Sequence, residues 1–198
     1  MRKFWTLALG ALTSLGVMAT SVETSSALTY FDPVTRTWQK AGAHYGKSPI
    51  KRETVSYQTK HKPGTIIVNT KERRLYLVLE GGKALKYGVG VGRTGFQWAG
   101  THRVTRKAEW PGWTPPPAMR KREARKGRKL PAYMPGGPRN PLGARALYIG
   151  STIYRIHGSN EPRTIGQAVS SGCIRMANED VIHLYDKIRV GAKVIVQR

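Results

Sequence analysis

Between Gly64 and Gly92 three short runs rich in β-branched and aromatic residues follow one another: "GTIIVNT" (64–70), "RRLYLVLE" (73–80) and "KALKYGVGVG" (83–92), the last two split by Gly81-Gly82. Each run has strand length rather than helix length, and paired glycines supply the positive backbone angles of a tight turn. The stretch therefore reads as a hairpin or meander. "GTHRVTRKAEW" (100–110) alternates as a further strand, and "ALYIGSTIYRIHG" (146–158) adds two more around a Gly150-Ser151 turn. Near the end, "NEDVIHLYDKIRVGAKVIV" predicts a helix. Asn178 is the expected N-cap, and Glu179 and Asp180 suit the positive end of the helix dipole. Val181, Ile182, Leu184, Tyr185 and Ile188 make its apolar face, Gly191 is the expected stop, and Lys193 to Val196 is a closing strand. The predicted fold is mainly β, with one or two packed helices.

Between these elements, residues 110–144 carry prolines and glycines that forbid long regular structure, and a loop of this length in a compact domain is usually functional or mobile. Within it, residues 120–129 hold seven basic residues and one acid. That run predicts a solvated, frayed helix, with contact to a polymer as the alternative.

The N-terminus places Arg2 and Lys3 before an apolar stretch from Phe4 to Met18, short of the ~20 residues that span a bilayer. This is the pattern of a signal peptide over residues 1–27, cleaved after Ala27 or, as a second choice, after Ala19. An uncleaved anchor is the competing reading. Residues 28–62 are polar and without sustained period, as in a leader or tether, and residues 63–198 make one domain of ordinary size. No second long apolar run follows, so no stable transmembrane segment is expected once the signal is removed.

The formal charge of +23 attracts polyanions. Export to the periplasm or cell envelope favours anionic wall polymers over nucleic acid, for which no recognition helix, zinc finger or RNA-binding signature is present. A solvated, soluble surface accounts for the same charge.

Cys173, in "SSGCIRM", is the sole cysteine of the 198 residues, which excludes a disulfide within the chain. An inert buried thiol, an intermolecular bridge and a nucleophile remain, although Ser170, Ser171, Gly172 and Arg175 form a polar setting for core. A zinc site needs more Cys and His ligands at close spacing than the chain offers. A nucleophilic thiol needs a base. His44 and His61 fall in the leader, His102 in a strand without a catalytic neighbour, and His183 on the C-terminal helix. His157 ends the strand "TIYRI" before Gly158, where a rigid element positions the ring. A turn at 160–162 and a helix-like stretch from Ile165 to Val169 give the chain room to double back to Cys173.

The segment "IHGSNEPRTIGQAVSSGCIRMANEDVIHLYDKI" resembles the active-site segment of the L,D-transpeptidase (YkuD-type) catalytic domain family of peptidoglycan enzymes. His157, Gly158, Ser170, Gly172, Cys173, Ile174 and Arg175 match its pattern, while Ser171 stands where many members carry a second histidine. The resemblance extends from about Lys62 to Arg198 and includes "YGVGVGRTG" (87–95) and "GGPRNPLGARALYIG" (136–150). It implies a β-sandwich or barrel-like catalytic fold in which Cys173 is the nucleophile and His157 the base. Gly158 would orient His157 through its carbonyl. Backbone N–H groups of Gly172 and Cys173, with Ser171 as an alternative, would face the oxyanion. Arg175 and Ser170 would contact substrate or support the loop. Trp110, Trp113 and Tyr133 would wall the groove or pack in the core. The resemblance implies no metal or organic cofactor. Its implied partners are peptidoglycan stem peptides, an envelope protein as a possible acyl acceptor, and carbapenem-type β-lactams as inhibitors. A noncatalytic wall-binding protein is the alternative.

Overall fold

The computed structural model describes residues 29–32, 37–40 and 47–198; the expected signal peptide and His44 lie outside them. β1 (Thr29–Asp32) and β2 (Thr37–Lys40) form a separate antiparallel pair. The remaining elements are β3 (Glu53–Ser56), β4 (Ile66–Asn69), β5 (Arg74–Val78), β6 (Lys83–Gly88), β7 (Val91–Gly92), β8 (Gly100–Glu109), α1 (Pro117–Ala124), β9 (Arg145–Ile149), β10 (Arg155–His157), β11 (Ala168–Ser170), β12 (Ile174–Arg175), α2 (Asn178–Lys187) and β13 (Lys193–Gln197). Nine strands form one sheet in the order β12-β10-β9-β8-β13-β4-β5-β6-β3, and β7 pairs with β11 beside it. The mainly β class with two helices is as the sequence predicts.

Gly81 and Gly82, at φ 68° and 66°, turn β5 into β6 with Leu77 opposite Leu85. β4 is buried along Ile66, Ile67 and Val68 because it lies inside the sheet, antiparallel to β5 and parallel to β13. A strand covered on both faces reads as a continuous apolar run rather than an alternating one. The core joins Ile66 and Val68 to Leu147, Ile149, Ile156 and Ile174 and to Val181, Leu184 and Ile188 around α2. Each such fully buried aliphatic side chain contributes about 1.5–3 kcal/mol.

Three local expectations give way to tertiary contacts. Asn178 is not the N-cap of α2; Ala177 occupies that position without a side-chain cap, and the Asn178 amide is committed elsewhere. α2 ends at Lys187 rather than running to Gly191, where Lys107 Nζ donates to the carbonyls of Tyr185 and Ile188 at 2.7 Å each. The stretch 165–169 is not helical: a single 3-10 turn at Pro162–Thr164 leads into β11, which the backbone of β7 captures as a parallel partner.

Part of the polar segment before residue 63 packs onto the domain. β3 pairs antiparallel with β6 at the sheet edge, and Arg52 Nη1 lies 2.8 Å from Asp180 Oδ1. Ile50 sits so close to Gly88 that a Cβ there would meet its side chain at 2.6 Å. Among the described residues no helix is long and apolar enough to cross a membrane.

Candidate active site

β10 and β12 run parallel, with Ile156 opposite Ile174 and His157 opposite Arg175. Both isoleucines are buried in the core. Strand alternation then turns His157, Arg175 and the adjoining Cys173 to the other face, where all three line a groove of about 650 Å³. Backbone bonds lock this edge: Met176 N–H donates to His157 O at 2.8 Å, and Gly90 and Arg175 exchange N–H···O bonds at 2.9 and 2.8 Å.

His157 is 4% exposed, and its Nδ1 lies 2.6 Å from Gly158 O. A carbonyl only accepts, so Nδ1 carries the proton and Nε2 keeps its lone pair. Burial first, and the nearby Arg175 charge second, push the imidazole down to about 3. The ring is therefore neutral at physiological pH and able to accept a proton.

The Cys173 thiol is partly exposed and faces Ile153 O at 4.0 Å. Its loop is held from inside by Ser170, which is 3% exposed. Ser170 Oγ donates to Cys173 O at 2.6 Å and accepts from Gly172 N–H at 3.1 Å. The Gly172 N–H is thus occupied, whereas those of Ser171 and Cys173 have no hydrogen-bonding partner among the described residues. Gly172 itself sits at φ 107°, and a Cβ there would meet the Tyr154 ring at 2.4 Å. Tyr154 stacks on Trp98 with centroids 4.5 Å apart, and Trp98 Nε1 donates to Gly172 O at 2.7 Å. This aromatic pair fixes the turn preceding the nucleophile candidate.

Arg175 lies 3.4 Å from Glu161 Oε2, a long and half-exposed pair that leaves much of the guanidinium facing the groove. Of the three loop aromatics, Trp113 lines the groove while Trp110 and Tyr133 do not; Tyr133 is 60% exposed. His61, His102 and His183 lie away from the groove, His183 beside the Tyr87 hydroxyl at 2.9 Å.

Local sequence signals do not reveal Trp98, Tyr154, Arg93, Arg122 or the role of Asn178. Asn178 Oδ1 accepts from Ala144 N at 2.9 Å and Ser159 N at 3.3 Å, while its Nδ2 donates to Ser159 O at 3.1 Å. The first side-chain carbon at Gly158 would lie 2.1 Å from that Oδ1, so a glycine after His157 is what lets the amide approach. Asn178→Ala strands two buried N–H groups, each at a cost of roughly 1–3 kcal/mol. Urea denaturation is expected to show a loss of about 2–6 kcal/mol, and a change below 0.5 kcal/mol would contradict this bracing role.

A family model described as the L,D-transpeptidase catalytic domain, YkuD, matches residues 63–196. Over 134 residues the chain is 42% identical to the probable L,D-transpeptidase ErfK/SrfK of Escherichia coli strain K12, covering 65% of this chain and 42% of that protein. The match thus spans less than half the length of that relative. A solved chain from Brucella melitensis, called a probable carnitine operon oxidoreductase caia, is 42% identical with a TM-score of 0.50, covering 76% of this chain and 96% of that one. L,D-transpeptidase 3 from Mycobacterium tuberculosis, solved with a faropenem-derived adduct, has a TM-score of 0.53 over 68% of this chain and 60% of its own. Its identity of 16% makes this a likeness of fold.

Proposed function

The chain belongs to the L,D-transpeptidase catalytic domain (YkuD) family, and from that premise we propose that it is a peptidoglycan L,D-transpeptidase with Cys173 as nucleophile and His157 as base. The observation that carries the reading is the groove shared by Cys173 and His157, with the imidazole tautomer fixed by Gly158 O.

In the first half-reaction Cys173 sulfur attacks the carbonyl of the L-centre of a tetrapeptide stem, and its proton passes to His157 Nε2. The oxygen of the tetrahedral intermediate takes up the free N–H groups of Cys173 and Ser171. Removal of one such donor typically costs about 3–4 kcal/mol. Collapse breaks the C–N bond, and His157 returns the proton to the departing D-alanine amine, leaving a thioester. An acceptor amine then attacks the thioester, gives its proton to His157, and the sulfur leaves and recovers that proton. Ser170 holds the loop rather than reacting. Arg175 faces the peptide from the strand beside His157.

The acceptor is an amine of a neighbouring stem or of an envelope protein; with water instead, the same site acts as a carboxypeptidase or hydrolase. The N-terminal pattern and the charge support an exported protein in the periplasm or cell envelope, with residues 1–27 as signal, 28–62 as leader and 63–198 as the catalytic domain. A carbapenem-type β-lactam is a strained acyl donor that the same thiol would open.

The experiment is incubation of the purified protein with tetrapeptide muropeptides and mass spectrometry of the products. A crosslinked dimer with free D-alanine is the expected result, and tripeptide alone would assign water as acceptor. The absence of any product or released D-alanine would sink the enzymatic reading.

A further inference from the structure

The basic run in the long loop is more than a solvated helix, because one of its members reaches the nucleophile loop. Arg122, on α1, donates from Nη2 to Ser171 Oγ at 3.2 Å. Arg93, just past β7, approaches the same Oγ with Nη1 at 3.5 Å and the Val169 carbonyl at 3.5 Å. The two guanidinium groups flank Phe96, at 4.3 Å from its centroid for Arg93 and 5.3 Å for Arg122.

Two like charges converging on one neutral hydroxyl repel each other, and a hydroxyl offers no charge to offset that repulsion. Glu123 pairs with Arg122, but the same carboxylate is shared with Lys126 and Arg128. The buried Arg122 Nε lies 3.5 Å from Glu123 Oε1 without a hydrogen bond to any group. The groove wall adds Arg155 and Arg175 against Glu161. An anion seated between the two guanidinium groups would satisfy their spare donors in the bidentate manner that guanidinium and carboxylate favour.

We propose that Arg93 and Arg122 form a carboxylate subsite beside Cys173, occupied by a free carboxylate of the peptide being processed, with Ser171 marking its floor. Ser171 is two residues from Cys173, at most ~7.6 Å between Cα atoms. The carboxylate therefore belongs to a residue next to, or one removed from, the reacting carbonyl. The inference rests on Cys173 being the reacting thiol, and it assigns the basic run a role in substrate selection.

Alkylation of Cys173 by iodoacetate and iodoacetamide tests it, because one reagent carries a carboxylate, the other is its neutral amide, and neither needs transpeptidation. In the wild-type protein the iodoacetate-to-iodoacetamide rate ratio is expected to exceed that of the neutral thiol N-acetylcysteine amide about five- to tenfold at low salt and to fall as salt is added. Arg93→Gln with Arg122→Gln should remove most of that excess, leaving only the part owed to Arg155 and Arg175 on the groove wall. Arg122→Lys should keep part of the preference, and Ser171→Ala should keep most of it. A wild-type ratio equal to that of the free thiol would overturn the proposal, as would a preference that survives undiminished in the double variant or disappears in Ser171→Ala. If the preference is found but no muropeptide is processed, the subsite stands and the transpeptidase reading falls.

Discussion

Cys173→Ala is expected to lower acyl transfer from a tetrapeptide stem by at least about 10⁴-fold, to the level that binding alone provides. The thiol is the sole cysteine of the chain, so no second sulfur can form a thioester in its place. The loop that carries it is built independently of the sulfur: Ser170 bonds the Cys173 carbonyl, Trp98 bonds that of Gly172, and Gly172 wedges under Tyr154. Removing a partly exposed Sγ that makes one long contact with Ile153 O should therefore change stability by less than about 1 kcal/mol. Denaturant unfolding and product release measured on the same preparation separate the two effects. Loss of activity with intact stability is the expected pair. A variant that retains more than a tenth of the wild-type rate would remove Cys173 from the chemistry.

His157→Gln is expected to cost about 10²–10⁴-fold in the acylation step, the usual contribution of a positioned general base. The pH dependence is the sharper part of this prediction. Burial holds the imidazole down to about 3, so no acid limb near 6.5 should appear in the acylation rate of the free enzyme. Activity should persist to about pH 5 as long as the fold does. A limb centred near 6.5 would mean a solvated ring and contradict the buried base. Stability moves the other way. The unfolded chain protonates His157 near 6.5, whereas the folded one resists until about 3. Between those values the unfolded state binds more protons, and stability falls as pH falls. Asp180 acts oppositely: its carboxyl is raised to about 6, with burial as the main cause, so the folded state binds its proton first between about 4 and 6. The His157→Gln variant should lose the acid-sensitive component and retain the Asp180 one, which urea midpoints at pH 7 and 4.5 can read.

The strands were legible because their cues are local. Gly81-Gly82 marks the β5–β6 hairpin, and the continuous apolar run of β4 reflects burial on both faces. The misread elements share a different cause. Asn178 carries an ordinary helix-start signal, yet its amide is drawn to Ala144 and Ser159 by contacts far along the chain. Residues 168–170 have weak preferences of their own and become a strand because β7 offers an unpaired edge. The site divides similarly. Cys173 and His157 stand out by residue type and spacing. Arg122 is one of seven basic residues in its run, and nothing local distinguishes it from Arg120 or Arg125; only the docking of α1 brings it to Ser171. Trp98 likewise looks like an ordinary core aromatic until its Nε1 is seen to hold the Gly172 carbonyl.

Whether Cys173 carries the acyl group is read by intact-mass spectrometry of the protein mixed with a tetrapeptide stem whose side-chain amine is acetylated, so that the acyl-enzyme has no such amine to receive it. One adduct is expected, equal to the donor less D-alanine and mapped to the peptide bearing Cys173, with one D-alanine released per adduct. Release of D-alanine by the Cys173→Ala variant, or an adduct on any other residue, would contradict it.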